Sequence, residues 1–408
     1  MNTSKENYLS VGHFIGITFV IFMLIPWVNF GLNSRDSQIW PLLSGIAFLA
    51  LHAKVRININ YLYFLIIPIF ALFVWLFYSE LNYAGPSGFT AIRAILSYAS
   101  FSICIVAFLL YLKNDSFPWK IFYAINFIYI LVAVIQLFIP EIVASIVNTR
   151  DITFTKVATV ARGVTSLAPE PTFFGIFLYF LSFIYLAQCD FKPNRFLTLV
   201  LLMNLFAIIF LSRSSMTVLY LLVSLPLLFM RLKLFHTFLI LIVGAIFIFL
   251  TVQIFSESRM ILLFKLLFEL GPSSLLLIDE SINDRVAHVV FPIHGAFLND
   301  FLPGGFHSWY NMHSELTTLW GGIFWYGSGG PIMSFLGLYV YELGFVGAIF
   351  LLFIFLAIQD GSYSRFVESI VLFIILNSSI PPSFPLLPIL ICVYLKKNEL
   401  KKYSAHKN

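Results

Sequence analysis

The stretch HTFLILIVGAIFIFLTVQIF, from His236 to Phe255, contains no Asp, Glu, Lys or Arg. A helix of about 20 such residues crosses the roughly 30 Å of hydrocarbon in a bilayer. In lipid every backbone polar group must be paired within the protein, so the stretch must be a helix or a barrel strand. Barrel strands alternate apolar and polar residues over about 10 positions, whereas this stretch is continuously apolar. It therefore predicts a transmembrane helix.

Apolar runs of this kind recur along the chain, which is 60% hydrophobic and 11% charged. Ordinary soluble domains carry roughly 25% charged residues, so the composition excludes that class. We predict an all-α, polytopic membrane helix bundle of about 11–12 transmembrane helices, a single integral membrane domain over residues 1–408. The predicted spans lie near 11–30, 37–52, 59–78, 89–112, 119–139, 172–187, 196–211, 215–230, 236–255, 342–358, 366–378 and 383–395. The last two form either two short spans or one re-entrant hairpin.

Most Lys and Arg residues fall on alternate short loops and in the basic tail 396–408. Because short loops rich in Lys and Arg stay in the cytoplasm, both termini are predicted to be cytoplasmic. The two long loops, 140–170 and 256–341, then face the other side. The net charge of +5 is explained by this topology, so no nucleic-acid partner is predicted.

The loop 256–341 contains short apolar segments that do not reach across a bilayer. We expect Arg259–Leu270 to be a helix in the membrane interface, and Pro331–Tyr341 to be a separate surface helix. Trp309 and Tyr310 belong to an aromatic stretch of the same loop. Their rings either stack on sugar rings or form the interfacial aromatic belt of a membrane protein.

Four arginines lie at the outer membrane level in this topology: Arg93, Arg162, Arg213 and Arg285. A guanidinium stays charged and binds phosphate oxygens through two parallel hydrogen bonds. These residues therefore predict an anion site for a lipid-linked phosphate. Alternatively, each side chain extends to the lipid headgroups and has no further role.

Glu170 precedes Pro171 at the start of a predicted span. Proline in the first turn and a carboxylate near the helix N-terminus both favour helix formation, which explains the pair structurally. The functional alternative is that Glu170 orients Arg162 or Arg213, or acts as a base.

Four histidines, His288, His294, His307 and His313, lie in the second long loop. Neither His-x5-His pair has the i, i+4 spacing that places two metal ligands on one helix face. We therefore predict no metal and no cofactor. One of His307, His313 or Glu315 is instead expected to act as a general base.

Four features in this order resemble the O-antigen polymerase (Wzy-type) family, whose superfamily also contains O-antigen ligases. They are Arg162-Gly followed by Glu170-Pro-x-x-x-Gly175, the hairpin Ser212-Arg-Ser214, the large outer loop, and Glu342-x-Gly-x-x-Gly347. The resemblance covers residues 90–360 as topology, and its motifs are short.

The resemblance implies a type C glycosyltransferase of the bacterial inner membrane that needs no metal. Such an enzyme joins oligosaccharide repeat units carried on undecaprenyl pyrophosphate, at the periplasmic face and with inversion. Arg162, Arg213 and Arg285 would hold the pyrophosphate, and Glu170 would complete the catalytic set. Substrate contacts would come from Arg93, His307, His313, Glu315, Trp309 and Tyr310. Membrane lipid is the other expected partner, and whether a chain-length regulator protein binds stays open.

Other functions stay open beside the polymerase. Ligases of the superfamily usually have a histidine shortly before the Glu-x-Gly-x-x-Gly stretch. The corresponding segment here, Gly329–Leu336, has none, which favours a polymerase. A transporter or flippase for lipid-linked sugars would place its charges near the bilayer midplane. A structural membrane subunit is the remaining alternative.

Overall fold

The computed structural model describes residues 3–29, 39–52, 59–82, 88–139, 146–147, 163–306, 308–326, 330–378 and 380–405. Over these ranges the chain is helical, and its one β-type pairing is an antiparallel bridge between Val28 and Val147. The predicted all-α class is therefore confirmed for the part of the chain that the structure describes.

The described part of the first half of the chain forms helices α1 to α7. In order they are α1 (Thr3–Leu24), α2 (Trp40–Leu51), α3 (Ile59–Leu62), α4 (Ile66–Asn82), α5 (Gly88–Asn114), α6 (Trp119–Phe138) and α7 (Pro171–Gln188). A 3-10 turn, Tyr63–Leu65, separates α3 from α4.

Among the described residues of the second half there are eleven helices. They are α8 (Arg195–Phe206), α9 (Ser215–Arg231), α10 (Leu234–Ile254), α11 (Arg259–Leu270), α12 (Pro272–Ile278), α13 (Glu280–Leu298), α14 (Trp309–Leu319), α15 (Phe335–Glu342), α16 (Gly344–Ile358), α17 (Tyr363–Leu376) and α18 (Leu386–Ala405). A π-helical segment, Ala207–Ser212, continues α8.

Five helical segments of the described chain are long and apolar enough to cross a membrane. They are Ala91–Asn114, Trp119–Phe138, Pro171–Gln188, Arg195–Ser212 and Leu234–Ile254. Shorter apolar helices overlap several of the other predicted spans. The structure is thus compatible with a helical membrane protein, while the total of 11–12 spans and the orientation of the termini stay predictions.

Several helix ends differ from the predicted spans for identifiable reasons. α1 ends at Leu24 rather than at residue 30, because the residue before Pro26 is disfavoured in helical conformation. α18 continues through Lys396 and Lys402 as far as Ala405, so most of the basic tail is helical. The 256–341 loop contains α11 to α14 and most of α15. The separate helix predicted over Pro331–Tyr341 is α15, but its predicted surface position is wrong, because Phe335, Leu338 and Tyr339 bury it inside unit 2.

The chain divides into two compact units, and both are discontinuous in sequence. Unit 1 comprises Met1–Arg56, Ala107–Phe264 and Pro385–Asn408, and unit 2 comprises Ile57–Val106 and Lys265–Phe384. The prediction of one membrane domain stays a prediction.

Unit 1 is built around α7, whose Phe174, Phe177 and Phe180 are fully buried. α7 packs against α18, α9 and the π segment. A row of hydrogen-bonded polar side chains also links its helices. Asn126 on α6 donates to Asn204 on α8, and Asn204 donates to Ser182 on α7, each with a donor–acceptor distance of 2.9 Å. Such bonds hold helices together where apolar surfaces alone give no register.

Unit 2 has α13 and α15 at its centre, and α15 packs against α16. The turn between α15 and α16 requires glycine at Gly344, because its φ is +60° and a β-carbon would overlap the backbone of Leu302 and Pro303. Glu342, at the end of α15, accepts a 2.8 Å hydrogen bond from the Tyr98 hydroxyl. The Glu-x-Gly-x-x-Gly motif therefore has a structural role in this unit.

Candidate functional site

The predicted site residues fall into both units. Glu170 and Arg213 belong to unit 1, and the remaining described ones belong to unit 2. Arg162 and His307 lie outside the described residues. The unit 2 residues are Arg93, Arg285, Trp309, Tyr310, His313 and Glu315.

Arg213 lies in the hairpin between the π segment and α9. Its N–H donates to the Ile208 carbonyl over 3.1 Å, five residues back, and its φ of +49° is left-handed. The Ser214 side chain then accepts a hydrogen bond from the Thr217 N–H and caps α9. π-helical turns are rare and are frequently found at functional sites. The hairpin thus holds Arg213 at the positive end of α9.

The Arg213 side chain is buried, with 3% of its surface exposed. Its guanidinium carbon lies 4.0 Å from the centre of the Phe255 ring, a distance at which a cation is attracted to an aromatic face. Burial lowers the pKa of Arg213 to about 10, so the side chain is still charged at neutral pH. A buried cation beside a helix N-terminus forms a favourable environment for an anion.

The segment that begins at Gly163 packs against this hairpin. The Val164 N–H donates to the Leu211 carbonyl over 3.0 Å. Gly163 has φ +97° and approaches Ser212 so closely that a β-carbon would overlap its carbonyl group. Gly175 on α7 likewise faces the Ser212 side chain. Residues of the two motifs at 162–175 and 212–214 therefore meet in unit 1.

Side chains of α6 hold the same segment in place. The Gln136 carbonyl oxygen accepts hydrogen bonds from the N–H groups of Thr165 and Ser166, over 3.0 and 2.8 Å. The Ser166 hydroxyl donates to the Tyr129 carbonyl over 2.6 Å. Glu170, at the end of the segment, is half-buried and precedes Pro171 in the first turn of α7. This position agrees with the structural explanation, in which Glu170 and Pro171 favour the start of the helix. The catalytic role of Glu170 stays a prediction.

A second group of polar side chains lies in unit 2. His288 on α13 and Trp309 and His313 on α14 form a ring triangle, with ring centres 5.5, 5.6 and 5.7 Å apart. His288 is fully buried, and Trp309 and His313 are buried as well. Trp309 also packs edge-on against Tyr341, so its ring is a core side chain rather than an open stacking surface.

His288 is oriented by two neighbours. The Met333 N–H donates to His288 Nδ1 over 3.3 Å, which assigns the proton of the neutral ring to Nε2. Nε2 lies 3.4 Å from Oδ1 of Asp284, one helical turn earlier on α13. The two atoms are close enough for an ion pair but are not aligned for a hydrogen bond. Each atom can therefore still form a hydrogen bond with another group.

His313 has a buried ring nitrogen and a lowered pKa. Its Nε2 is buried and has no hydrogen-bond partner among the residues that the structure describes. Burial lowers the pKa of His313 below its usual value of 6.5, the nearby His288 lowers this pKa further, and Asp284 raises it. His313 is therefore mainly neutral at pH 7, the form that accepts a proton.

The other predicted residues of unit 2 are more exposed. Tyr310 and Glu315 are exposed on α14, Arg93 is exposed on α5, and Arg285 is half-buried on α13. Asp284 and His288 were not among the site residues predicted from the sequence. Their i, i+4 spacing was the available signal, since it places both on one face of a helix.

Across the described ranges, no group of three or more His, Cys, Asp or Glu side chains is placed to hold a metal ion. Comparison of the chain with protein-family models, curated proteins and solved structures finds no match.

Proposed function

We propose that the protein is a glycosyltransferase of the repeat-unit polymerase type. It joins undecaprenyl-pyrophosphate-linked oligosaccharide units into O-antigen or a related surface polysaccharide at the periplasmic face of the bacterial inner membrane. The observation that supports the proposal is the buried, charged Arg213 in a π-helical hairpin against which the Gly163 segment packs.

The chemistry of this reaction suits such a hairpin. When a sugar leaves undecaprenyl pyrophosphate, negative charge develops on the departing diphosphate, and a fixed cation stabilises it. The hairpin joins two apolar segments, Arg195–Ser212 and Ser215–Arg231. In the topology predicted from the sequence, a cation in this hairpin lies at the level of the lipid headgroups. An isoprenoid chain in the bilayer places its diphosphate at the same level.

The remaining roles follow the resemblance. Arg162 adds further positive charge to the diphosphate, and Glu170 orients an arginine or assists the attacking hydroxyl. Arg93 and the side chains of α14 contact the glycan. The reaction inverts the anomeric centre and uses no metal, because guanidinium groups supply the charge that a cation would otherwise provide.

The test uses the full-length protein in lipid nanodiscs, supplied with undecaprenyl-pyrophosphate-linked repeat units. We expect a ladder of longer glycans on a gel. Arg213→Ala should lower the rate of ladder formation about 10²- to 10³-fold, the usual loss when one donor to a developing anion is removed. Arg213→Lys should keep part of the rate, because it retains the charge but not the planar fork.

Arg231→Ala is the matched control. Arg231 ends α9, and its guanidinium also lies over an aromatic ring, that of Phe191 at 5.1 Å. We expect this variant to retain the ladder. A wild-type protein that makes no ladder, or an Arg213→Ala variant with unchanged rate, would contradict the proposal. Transfer only to an acceptor without pyrophosphate would indicate a ligase, and movement of intact lipid-linked units between leaflets would indicate a transporter.

A further inference from the structure

Polar side chains of α13 are buried, while large apolar side chains of the same helix are exposed. Asn283, Asp284 and His288 are buried, whereas Ile293 and Phe297 are 38% and 60% exposed. A helix on the surface of a soluble protein buries its apolar residues and exposes its polar ones. A helix in lipid does the reverse, because a polar side chain in hydrocarbon is costly unless it faces the interior of the protein. The arrangement in α13 therefore fits a lipid environment.

Contacts between α13 and α15 show that the two helices run side by side in the same direction. A β-carbon at Gly337 would lie 3.0 Å from the Pro292 ring, and a β-carbon at Gly295 would lie 3.0 Å from the Tyr341 ring. The earlier residue of one helix thus faces the earlier residue of the other. The position of α15 relative to a membrane therefore sets the position of α13.

α15 in turn contacts α5 at a level well inside an apolar segment. The rings of Phe335 and Tyr339 lie 5.6 and 6.2 Å from the ring of Phe101. Phe101 follows Ala91, the first residue of the apolar segment Ala91–Asn114, by ten residues. Ten residues of helix are about 15 Å long, about half of the roughly 30 Å of hydrocarbon. Since α5 is predicted to cross the bilayer, α15 lies within the bilayer rather than in the water outside it.

The break between α15 and α16 has backbone groups that are paired inside unit 2. The Phe345 N–H donates to the Phe301 carbonyl over 2.8 Å. The Gly304 N–H donates to the Tyr341 carbonyl, also over 2.8 Å. Irregular backbone is tolerated in hydrocarbon where the protein supplies such partners, because no water is present to replace them.

The length of α16 agrees with a break inside the hydrocarbon layer. α16 has 15 residues, which extend over about 22 Å, less than the roughly 30 Å of hydrocarbon. A predicted span of this length does not reach from one edge of the layer to the other. Its first turn, together with the end of α13 that is bonded to it, therefore suits a position below that edge.

The exposed side of α13 continues into the exposed side of α16. The rings of Phe297 and Phe301 lie 4.7 Å apart, and the Phe301 carbonyl accepts the hydrogen bond from the start of α16. Phe345 and Ile349, one helical turn apart on α16, are exposed. Because α16 is a predicted span, its exposed apolar side faces lipid. Phe297 therefore lies next to a surface that lipid covers.

We propose that α13 and α15 lie within the bilayer as a re-entrant part of unit 2. The side of α13 formed by Val289, Ile293 and Phe297 contacts the acyl chains of bilayer lipids. These three residues follow one another at intervals of four and therefore share one face of the helix. The inference does not depend on the proposed glycosyltransferase function. It places part of the segment 256–341 inside the membrane, where the sequence predicted a loop in water.

The test measures the fluorescence of a bimane label attached to single cysteines in the full-length protein. The three native cysteines, Cys104, Cys189 and Cys392, are first replaced by alanine. The labelled variants Ile293→Cys and Phe297→Cys are reconstituted in vesicles with and without bromine on the lipid acyl chains. Bromine quenches a fluorophore that it contacts, so both labels should lose fluorescence in the brominated vesicles. Iodide in the surrounding water should have little effect on either label.

Two further positions supply the controls. Ile349→Cys, on the exposed side of α16, should be quenched by brominated lipid. Ser314→Cys, on the exposed polar side of α14, should be quenched by iodide instead. A response of Ile293→Cys and Phe297→Cys like that of Ser314→Cys would overturn the proposal. Protection of both labels from both quenchers would also overturn it, since protein rather than lipid would then cover this face.

A pair of substitutions at Ile293 tests the same face without a label. Asn and Asp have similar helix propensities, so Ile293→Asn and Ile293→Asp differ chiefly in charge. In contact with lipid the charged variant is the more costly one, and it should unfold at a lower temperature in lipid nanodiscs than Ile293→Asn does. At Ser314 the corresponding variants, Ser314→Asn and Ser314→Asp, should unfold at the same temperature. Equal unfolding temperatures for the two Ile293 variants would contradict the proposal.

Discussion

At the scale of single residues, Arg213 combines an unfavourable backbone with a buried charge. A residue other than glycine in the left-handed region costs about 1–2 kcal/mol, which glycine avoids. Glycine would suit this backbone better than arginine. We therefore attribute the presence of arginine at position 213 to the properties of its side chain. The sequence pattern Ser-Arg-Ser indicated the hairpin, but neither the left-handed conformation nor the contact with Phe255 could be predicted from it.

Arg213→Gly and Arg213→Ala should separate stability from function. Both lose the guanidinium and should lose ladder formation alike, but the glycine variant should be more stable by about 1 kcal/mol, because alanine stays strained at positive φ. Thermal unfolding of the two full-length variants in detergent measures the difference. Equal midpoints would show that the hairpin has relaxed to another conformation in the alanine variant.

At the scale of helices, apolar runs predicted where most helices lie, since length and hydrophobicity alone decide which segments suit a membrane. Proline accounted for the early end of α1. The π segment was missed, because an apolar run does not show whether its turns are α-helical or π-helical. The pairing of Asp284 with His288 was missed although its i, i+4 spacing is visible in the sequence. The hydrogen bond between Asn126 and Asn204 also could not be predicted, because each is a single polar residue in an apolar run and nothing in the sequence pairs them.

Asn204→Leu tests the row of hydrogen-bonded polar side chains. The substitution leaves the amide of Asn126 and the hydroxyl of Ser182 without this partner inside unit 1. Hydrogen bonds between membrane helices contribute about 0.6–2 kcal/mol, so we expect destabilisation of that size by thermal unfolding. Thr198→Leu is the control and should unfold like the wild type, because Thr198 is half-buried on the same helix and its hydroxyl bonds only to the Asn194 carbonyl one turn earlier. Unchanged stability of Asn204→Leu would mean that packing alone holds α6, α7 and α8.

At the scale of the whole molecule, unit 1 is completed by a segment that follows unit 2 in the chain. α18 packs against α7, and its residues from Leu386 to Tyr394 are all buried. The apolar runs predicted both helices, but their contact could not be predicted, because it joins segments that are far apart in sequence.

A chain that ends at Phe384 should therefore lose protection in unit 1 while unit 2 keeps it. Removal of α18 uncovers apolar side chains of α7, whereas no segment of unit 2 is deleted. Hydrogen exchange read by mass spectrometry compares α7 with α13. A chain ending at Leu400, which lacks the last turn of α18 with the exposed Lys401 and Lys402 and the residues after it, is the control and should resemble the wild type. Uniform loss of protection in both units would indicate that they unfold together.

The π segment Ala207–Ser212 makes the direction of Arg213 depend on register. Each residue of an α-helix turns the chain by about 100°, and a five-residue hydrogen-bond step contains one residue more than an α-helical step. Deleting one of these residues would let α8 continue as a regular helix while rotating its last side chains by roughly a quarter turn. The direction in which the Arg213 side chain points therefore depends on one additional residue in this segment. A segment shorter by one residue, with Arg213 retained, would direct the arginine side chain elsewhere.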